Sequence, residues 1–230
     1  GAPMNNGLIK KVMDAFSPYQ LVNHYGSSEI YTFTVDPKAN MKPGSAGKAG
    51  INQRIKIVEI GSYDPERIVN KNVEGEIIAS LQSEEAFSGY LKRPDADQKS
   101  IINNWYFTSD LGYFDNDGDL FVTGRVDDMM ITGGENVSPI EIENILSLND
   151  SVIEVAVVGL PDEKWGQKIC AFIKRSGDIR HDELNKFCLK SGLVNFKRPK
   201  EYVFVKEIPK SPTGKILRRK LLSGEYEKDL

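Results

Sequence analysis

The sequence is short of several things that would mark a particular class of protein. It has two cysteines, Cys170 and Cys188, too few for a disulfide framework and without the paired spacing of a zinc site. No stretch approaches the ~20 consecutive apolar residues that a membrane-spanning helix needs. No basic-then-apolar leader opens the chain either. A reduced, cytoplasmic compartment without stable membrane insertion is the expectation. There is no internal repeat and no low-complexity segment. An initiator methionine is also missing: the chain begins Gly1-Ala2-Pro3-Met4, which reads as a trimmed start or a piece of something longer.

What is present is ordinary globular material. The 230 residues are 40% hydrophobic and 27% charged, enough to bury a core and too apolar for a disordered chain. At roughly 150 residues per domain, one or two domains are allowed. The formal net charge is -3, but it is unevenly spread. Between Lys190 and Leu222 stand ten Lys/Arg against two Glu, a surplus of eight, so the rest carries about eleven negative charges. A basic segment on an acidic protein suits an anionic partner at one place; a solvated helix face explains it equally well.

Periodicity divides the chain near residues 125–128. Leu8, Ile9, Val12, Met13 and Phe16 fall at helical spacing, and Ser17-Pro18 stops that helix. Residues 21–25 form a short strand candidate, followed by a Gly/Ser turn at 26–29. Residues 37–50 read as a loop rich in Pro, Gly, Ser and Ala. Strand-like runs follow at 54–60, 76–81 and 120–123, the last after a hairpin turn at 116–119. Beyond Asp127 the rhythm changes. Ser138-Pro139-Ile140-Glu141 is a helix start, with a serine cap, proline at the first position and glutamate three residues on. Strands are expected at 152–158, 169–174 and 201–205, and helices at 182–190 and 216–222. The fold class is mixed α/β: a β-rich first part over 1–126 and a small α/β domain over 127–230.

Four stretches carry a resemblance. They are Tyr25-Gly26-Ser27-Ser28-Glu29, Trp105-Tyr106-Phe107-Thr108-Ser109-Asp110, the run GRVDDMMITGGENVSPIEIE from Gly124, and Pro209-Lys210-Ser211-Pro212-Thr213-Gly214-Lys215. In this order they resemble the C-terminal part of the AMP-binding acyl-CoA synthetases of the adenylate-forming superfamily. Trp165-Gly166-Gln167 and Phe196-Lys197-Arg198-Pro199-Lys200 make the chain most similar to the benzoate and halobenzoate CoA ligases. The likeness spans essentially the whole chain. It implies the β-rich end of a large adenylate-forming domain followed by the small mobile C-terminal domain.

The reaction implied by the resemblance has two halves. A carboxylate attacks the α-phosphate of ATP to give acyl-AMP and pyrophosphate. The thiol of coenzyme A then attacks the acyl carbon and releases AMP. By this likeness Tyr25 stacks on adenine beside Gly26, Asn23 contacts its edge, and Asp110 and Arg125 hold the ribose. Ser28, where many relatives carry threonine, donates to the α-phosphate, and Glu29 coordinates Mg²⁺. Lys215 bridges the attacking carboxylate and the α-phosphate. Asp127 is the hinge about which the small domain turns between half-reactions. Gly133 and Gly134 allow a close approach to pantetheine, and Trp165, Phe196, Arg198 and Lys200 hold the CoA nucleotide. Ala2, His24, Gly26, Tyr31 and Thr32 line the acyl pocket, with His24 a partner for a polar ring substituent. Read alone, residues 25–29 would be a plain turn, Arg125 a salt bridge and Lys215 one more lysine in a basic tail.

The family's phosphate loop and the upstream gate of its pantetheine tunnel have no counterpart in these residues. The expectation is therefore that this 230-residue chain by itself releases no pyrophosphate from ATP and an acid. The implied partners are a small carboxylic acid and, for the complete enzyme, a second copy in a homodimer. Nucleic acid is not expected, since no RNA- or DNA-binding motif is present and the net charge is negative. Three rivals stand beside the CoA ligase: an adenylating domain serving a carrier protein, a luciferase-like oxidase, and a non-catalytic nucleotide- or CoA-binding module.

Overall fold

A computed structural model describes Met4 and residues 6–229. The chain divides into two compact units, Val12–Asp127 and Asp128–Leu230, the latter joined by the first half of helix α1 (Asn6–Phe16), up to Lys11. The sequence pattern kept α1 whole with the first unit, and the difference has a packing cause. The Gly7 amide donates to Ser147 Oγ at 3.4 Å. A Cβ at position 7 would lie 2.3 Å from the Ser147 carbonyl oxygen, so the helix approaches there only because glycine lacks one.

The first unit is built on β1 (Asn23–Tyr25), β2 (Thr34–Asp36), β3 (Ser45–Ala49), β4 (Ile55–Val58), β5 (Gly75–Ser80), β6 (Ile101–Ile102), β7 (Trp105–Phe114) and β8 (Leu120–Arg125), with helix α2 (Pro94–Ser100) before β6. These strands form one sheet in the order β1-β2-β3-β8-β7-β5-β4, with β6 added to β7. Every residue of β5 is buried, as befits a central strand with both faces covered. Ile77 packs with Ala46, Ile57 and Leu120; Ile78 packs with Val58 and Phe107. Successive side chains point to opposite faces, which is why neighbours enter different clusters.

Two readings of this unit change. The loop expected over 37–50 contains strand β3. Its Gly47, at φ +79°, lets the Val35 carbonyl approach to where a Cβ would be 2.1 Å away, so a glycine that looked like loop composition is a strand contact. By sequence Asp110 reads as the end of a strand-like run and the start of a turn. It lies inside β7, which bulges there and continues to Phe114.

The second unit contains β9 (Met130–Thr132), β10 (Glu135–Val137), α3 (Pro139–Leu146), β11 (Val152–Asp162), β12 (Gly166–Arg175), α4 (His181–Lys190), β13 (Glu201–Phe204) and α5 (Arg218–Leu222). The sheet runs β10-β9-β12-β11, and β13 lies parallel against β12. Alternation is again legible. Val155, Val157, Ile169, Ala171 and Ile173 face α3 and α4. Ala156, Val158, Cys170 and Phe172 face Ile208 and Leu221 on the other side. Cys170 and Cys188 thus belong to different clusters, both free and buried. Burial pushes the Cys170 thiol up to about 12 and raises that of Cys188, so neither is a nucleophile at neutral pH. The last helix begins at Arg218, two residues later than its periodicity suggests, because Ile216 is held in a bridge with Lys210.

Candidate functional site

Strand β1 puts Asn23 and Tyr25 on one face and His24 on the other. From that face the Tyr25 hydroxyl donates to Asp110 Oδ2 at 2.6 Å. Across the β7–β8 pair, Arg125 is the register partner of Asp110, and its Nη1 lies 2.5 Å from Oδ1. One carboxylate therefore joins a phenol and a guanidinium that are far apart in sequence. Burial raises the Tyr25 phenol well above its ordinary value, and the Asp110 charge adds to that, so the hydroxyl stays a donor. A carboxylate has about four lone-pair sites, so it can accept from several donors at once. Asn23 is fixed as well: its Nδ2 donates to the Ser45 carbonyl at 2.8 Å.

The backbone that presents Asp110 is unusual. Ser109 has φ +59°, a left-handed conformation uncommon outside glycine, and β7 is irregular against both neighbours here. The Asp110 amide donates to Thr108 Oγ1 at 3.0 Å, while the Thr108 hydroxyl donates to the Ile77 carbonyl at 2.8 Å. The Ser109 amide donates to Glu76 Oε1 at 3.2 Å. Burial raises the Glu76 carboxyl, with further upward pushes from Asp110 and Asp127 against the Ser109 hydrogen bond. Bulges and strained residues of this kind re-aim a side chain. Thr108 and Glu76 went unrecognised in the sequence, where a Thr in a strand and a Glu beside isoleucines carry no distinctive signal.

The turn after β1 is tight. A Cβ on Gly26 would stand 1.8 Å from the Tyr31 carbonyl oxygen, so no other residue fits without moving the chain. Ser27 Oγ accepts from the amides of Glu29 and Ile30, each at 3.2 Å, while Ser28 is exposed at the tip. Glu29 Oε1 accepts from the Tyr90 hydroxyl at 2.7 Å. Burial alone would raise the Glu29 carboxyl, but the hydrogen bonds from Tyr90 and Ser27 outweigh it and hold it below its ordinary value. On the opposite face of β1, His24 Nε2 is 3.2 Å from Thr32 Oγ1, and its ring lies 5.0 Å from that of Tyr31. Three of the expected acyl-pocket residues therefore meet. Of the remaining two, Gly26 packs against the Tyr31 backbone in the turn and Ala2 lies outside the described residues.

In the second unit Gly133 and Gly134 turn between β9 and β10 at φ +60° and +86°. The Gly133 amide donates to the Trp165 carbonyl at 2.9 Å, and a Cβ on Gly133 would sit 3.2 Å from the indole. These residues come together, and the indole is 40% exposed. Phe196, Arg198 and Lys200 form a second group around the short 3-10 turn Asn195–Lys197. Arg198 Nη2 donates to Asn195 Oδ1 at 2.5 Å, and Lys200 Nζ donates to the Asn195 carbonyl at 3.1 Å. Neither cation has a carboxylate partner among the described residues, and Arg198 Nε is buried with no hydrogen-bond partner. Burial and the Arg198 charge hold the Lys200 ammonium below its usual value. Arg198 and Lys200 line an open cleft of ≈ 870 Å³ along β13, together with His181, Lys228 and the carboxylates Asp182, Glu201 and Asp229. Phe196 and Trp165 are not among the residues lining it.

Lys215 is exposed at the end of a loop closed by its own hydrogen bonds. The Ser211 amide donates to the Lys215 carbonyl at 2.8 Å, and the Lys215 amide donates to Ser211 Oγ at 3.1 Å. Its ammonium makes no ion pair among the described residues. Just past it, Arg218 Nη2 is 2.6 Å from buried Glu143, and Nη1 is 3.5 Å from Asp128. Burial raises the Glu143 carboxyl, and Arg218 opposes that. The only hint of this group in the sequence is a glutamate set in the apolar stripe of α3. Asp127 itself is exposed, in the 3-10 turn Val126–Asp128.

Residues 141–215 match the AMP-binding enzyme C-terminal domain family. That stretch lies within the second unit, which is similar to such a domain. Beyond it the likeness extends over the whole chain. The 4-chlorobenzoate–CoA ligase of an Arthrobacter species is 36% identical over 96% of this chain and 42% of its own length. The 2-succinylbenzoate–CoA ligase of Bacillus mycoides strain KBAB4 is 37% identical over 95% and 43%. Among solved structures, o-succinylbenzoate CoA synthetase of Bacillus subtilis, in complex with its acyl-adenylate intermediate, superposes with a TM-score of 0.84. It is 30% identical over 96% of this chain and 44% of that one. The homologues are acid–CoA ligases, and the chain spans less than half the length of each. Their likeness covers the AMP-binding C-terminal domain and the β-rich unit before it.

Proposed function

We propose that these residues serve an AMP-forming acid–CoA ligase, contributing the nucleoside cradle and the small domain that carries the catalytic lysine. The convergence of Tyr25 and Arg125 on Asp110, with Asn23 held on the same strand face, carries the nucleotide half of this reading. Asp110 is placed to accept from the ribose beside the Arg125 guanidinium, and Tyr25 offers a ring held at its hydroxyl end. Ser28, exposed at the turn, donates to the α-phosphate. Glu29 fits a hard cation: its carboxyl is kept ionised and Oε2 is free of the Tyr90 hydrogen bond. Magnesium bound there would neutralise phosphate charge during adenylation.

In the first half-reaction the acid's carboxylate oxygen forms a bond to the α-phosphorus and the bond to pyrophosphate breaks. Lys215, a compact cation without an internal partner, screens the repulsion between the two anions. Rotation about Asp127 would then withdraw it and bring in the Gly133-Gly134 turn with Trp165. The CoA thiolate adds to the acyl carbon and AMP leaves with the bonding electrons. Arg198 and Lys200, which make no ion pair among the described residues, favour an acceptor bearing a phosphate group. That supports coenzyme A over a carrier protein. The aromatic pair His24 and Tyr31 with Thr32 supports an aromatic acid carrying a polar substituent.

The test is a panel of substituted benzoates and medium-chain fatty acids, assayed on the full-length polypeptide with ATP, Mg²⁺ and CoA. AMP and thioester should appear together, fastest with a polar-substituted benzoate. Preference for unsubstituted aliphatic acids would remove the His24 assignment, and transfer to a carrier protein but not to CoA would favour the rival enzyme class.

Base selectivity follows from Asn23. The Asn23 Nδ2 spends one of its N–H groups on the Ser45 carbonyl, which fixes the amide, and its Oδ1 is the group proposed to accept from the adenine amino group, a bond a carbonyl in that place could not donate. Replacing ATP by ITP, which carries a carbonyl there, should lower kcat/KM by roughly 10–100-fold. Equal use of the two nucleotides would contradict this orientation.

A further inference from the structure

We propose that Arg218 is a positioning residue for Lys215: through Glu143 and Asp128 it fixes the root of the loop that presents the lysine. This rests on the ligase reading above. The loop is a small closed hairpin. The Leu217 amide donates to the Pro209 carbonyl at 2.9 Å, Lys210 bridges to Ile216, and the Ser211 amide donates to the Lys215 carbonyl at 2.8 Å. Residues 212–215 at its tip are all exposed. The direction in which Lys215 points is therefore set by whatever holds the two ends of the stem.

Those ends are held unequally. At one, Lys210 Nζ is 2.6 Å from Glu154 Oε1, with the side chains 36% and 31% exposed; an ion pair so open to water contributes little. At the other, Arg218 and Glu143 are 16% and 11% exposed, and separating charges buried to that degree is costly. Leu221 adds apolar contact with Ala156 and Val158, but that attraction is non-directional. The Arg218 end decides the aim.

The guanidinium meets three groups at once. Its Nη2 donates to Glu143 Oε1 at 2.6 Å, its Nε donates to the Val157 carbonyl at 3.3 Å, and its Nη1 is 3.5 Å from Asp128 Oδ2. Glu143 Oε1 also accepts from the Val157 amide at 2.8 Å. Among the described residues β11 pairs with β12 alone. On its free edge the arginine and glutamate satisfy Val157 where a further strand would. A planar fork of donors reaches all three groups, which a point-like ammonium would not. The root of the loop is thus tied to the sheet edge and to Asp128, the residue after the proposed hinge.

The experiment follows acid-dependent exchange of labelled pyrophosphate into ATP with the full-length polypeptide. Arg218→Met should slow exchange by about 10–100-fold, as expected when a catalytic group shifts by about an ångström. Thioester formation from supplied acyl-adenylate and CoA should stay within about threefold of wild type. In a Lys215→Ala background the same substitution should slow exchange by no more than about twofold, because its effect passes through an ammonium already removed. Should Arg218→Met fail to fold, Glu143→Gln, which keeps an acceptor for the Val157 amide, carries the same test. Losses that multiply with Lys215→Ala, or that fall equally on both half-reactions, make Arg218 a purely structural residue and overturn the inference alone. Wild-type exchange in a folded variant does the same. If Lys215→Ala itself leaves exchange unchanged, the proposed function fails and this inference with it.

Discussion

Lys215→Ala is expected to slow acyl-adenylate formation by roughly 10²–10³-fold, the usual cost of removing one preorganised electrostatic donor. The ammonium is exposed and engages no carboxylate in its own unit, so nothing in the fold depends on it and the melting temperature should not move. Its proposed work lies in the first half-reaction alone. When chemically prepared acyl-adenylate is supplied with CoA, the variant should form thioester within about threefold of wild type, because uniform binding is unaffected. Lys215→Arg should recover part of the first step, limited by the bulkier planar head. The readouts are acid-dependent exchange of labelled pyrophosphate into ATP for the first half and thioester appearance for the second. Equal loss in both halves, or none in either, would remove Lys215 from the role assigned to it.

Asp110→Ala should cost both stability and nucleotide affinity, a combination that separates it from Lys215. The substitution leaves the Tyr25 hydroxyl and the Arg125 guanidinium without their shared partner. Breaking a fully buried pair costs about 3–5 kcal/mol. The Arg125 side chain is 34% exposed and that of Asp110 16%, so a loss of about 2 kcal/mol is the better expectation. For a chain of this size that lowers the melting temperature by about 4–8 °C. Nucleotide binding should weaken by at least about 100-fold, since the two charge-assisted hydrogen bonds proposed to the ribose would disappear. Asp110→Asn retains the shape and one acceptor, and should fall between. Arg125→Ala and the double variant complete a cycle in which the two losses are far from additive. Wild-type nucleotide affinity in Asp110→Ala would refute the cradle.

Much of the fold was legible because burial has a period. The alternation of 155–158 and 169–173 between two clusters is the simple consequence of side chains projecting to opposite sides of a strand. The serine-capped start of α3 was equally clear, and Ser138 Oγ does accept from the Ile140 amide at 3.2 Å. Strand β3 was hidden because Gly, Ser and Ala there resemble a loop, and only the close pass of Val35 explains Gly47. The bulge at Ser109 was hidden too. A positive φ in serine follows from the irregular register of β7 with its two neighbours, and no local composition announces it.

By itself the sequence determined which chemical groups this protein has and in what order they occur: the turn with Glu29, the aspartate and arginine of the cradle, the glycine pair, and the lysine near the end. It also set the two units, through a change of hydrophobic rhythm near residues 125–128. The tertiary structure alone decided which groups share a proton or a charge. Tyr25 reaches Asp110 across 85 positions, Tyr90 reaches Glu29 across 61, and Arg218 reaches Glu143 across 75. Hydrogen bonds act over about 3 Å, and that distance is set by sheet register and strand irregularity rather than by any spacing along the chain.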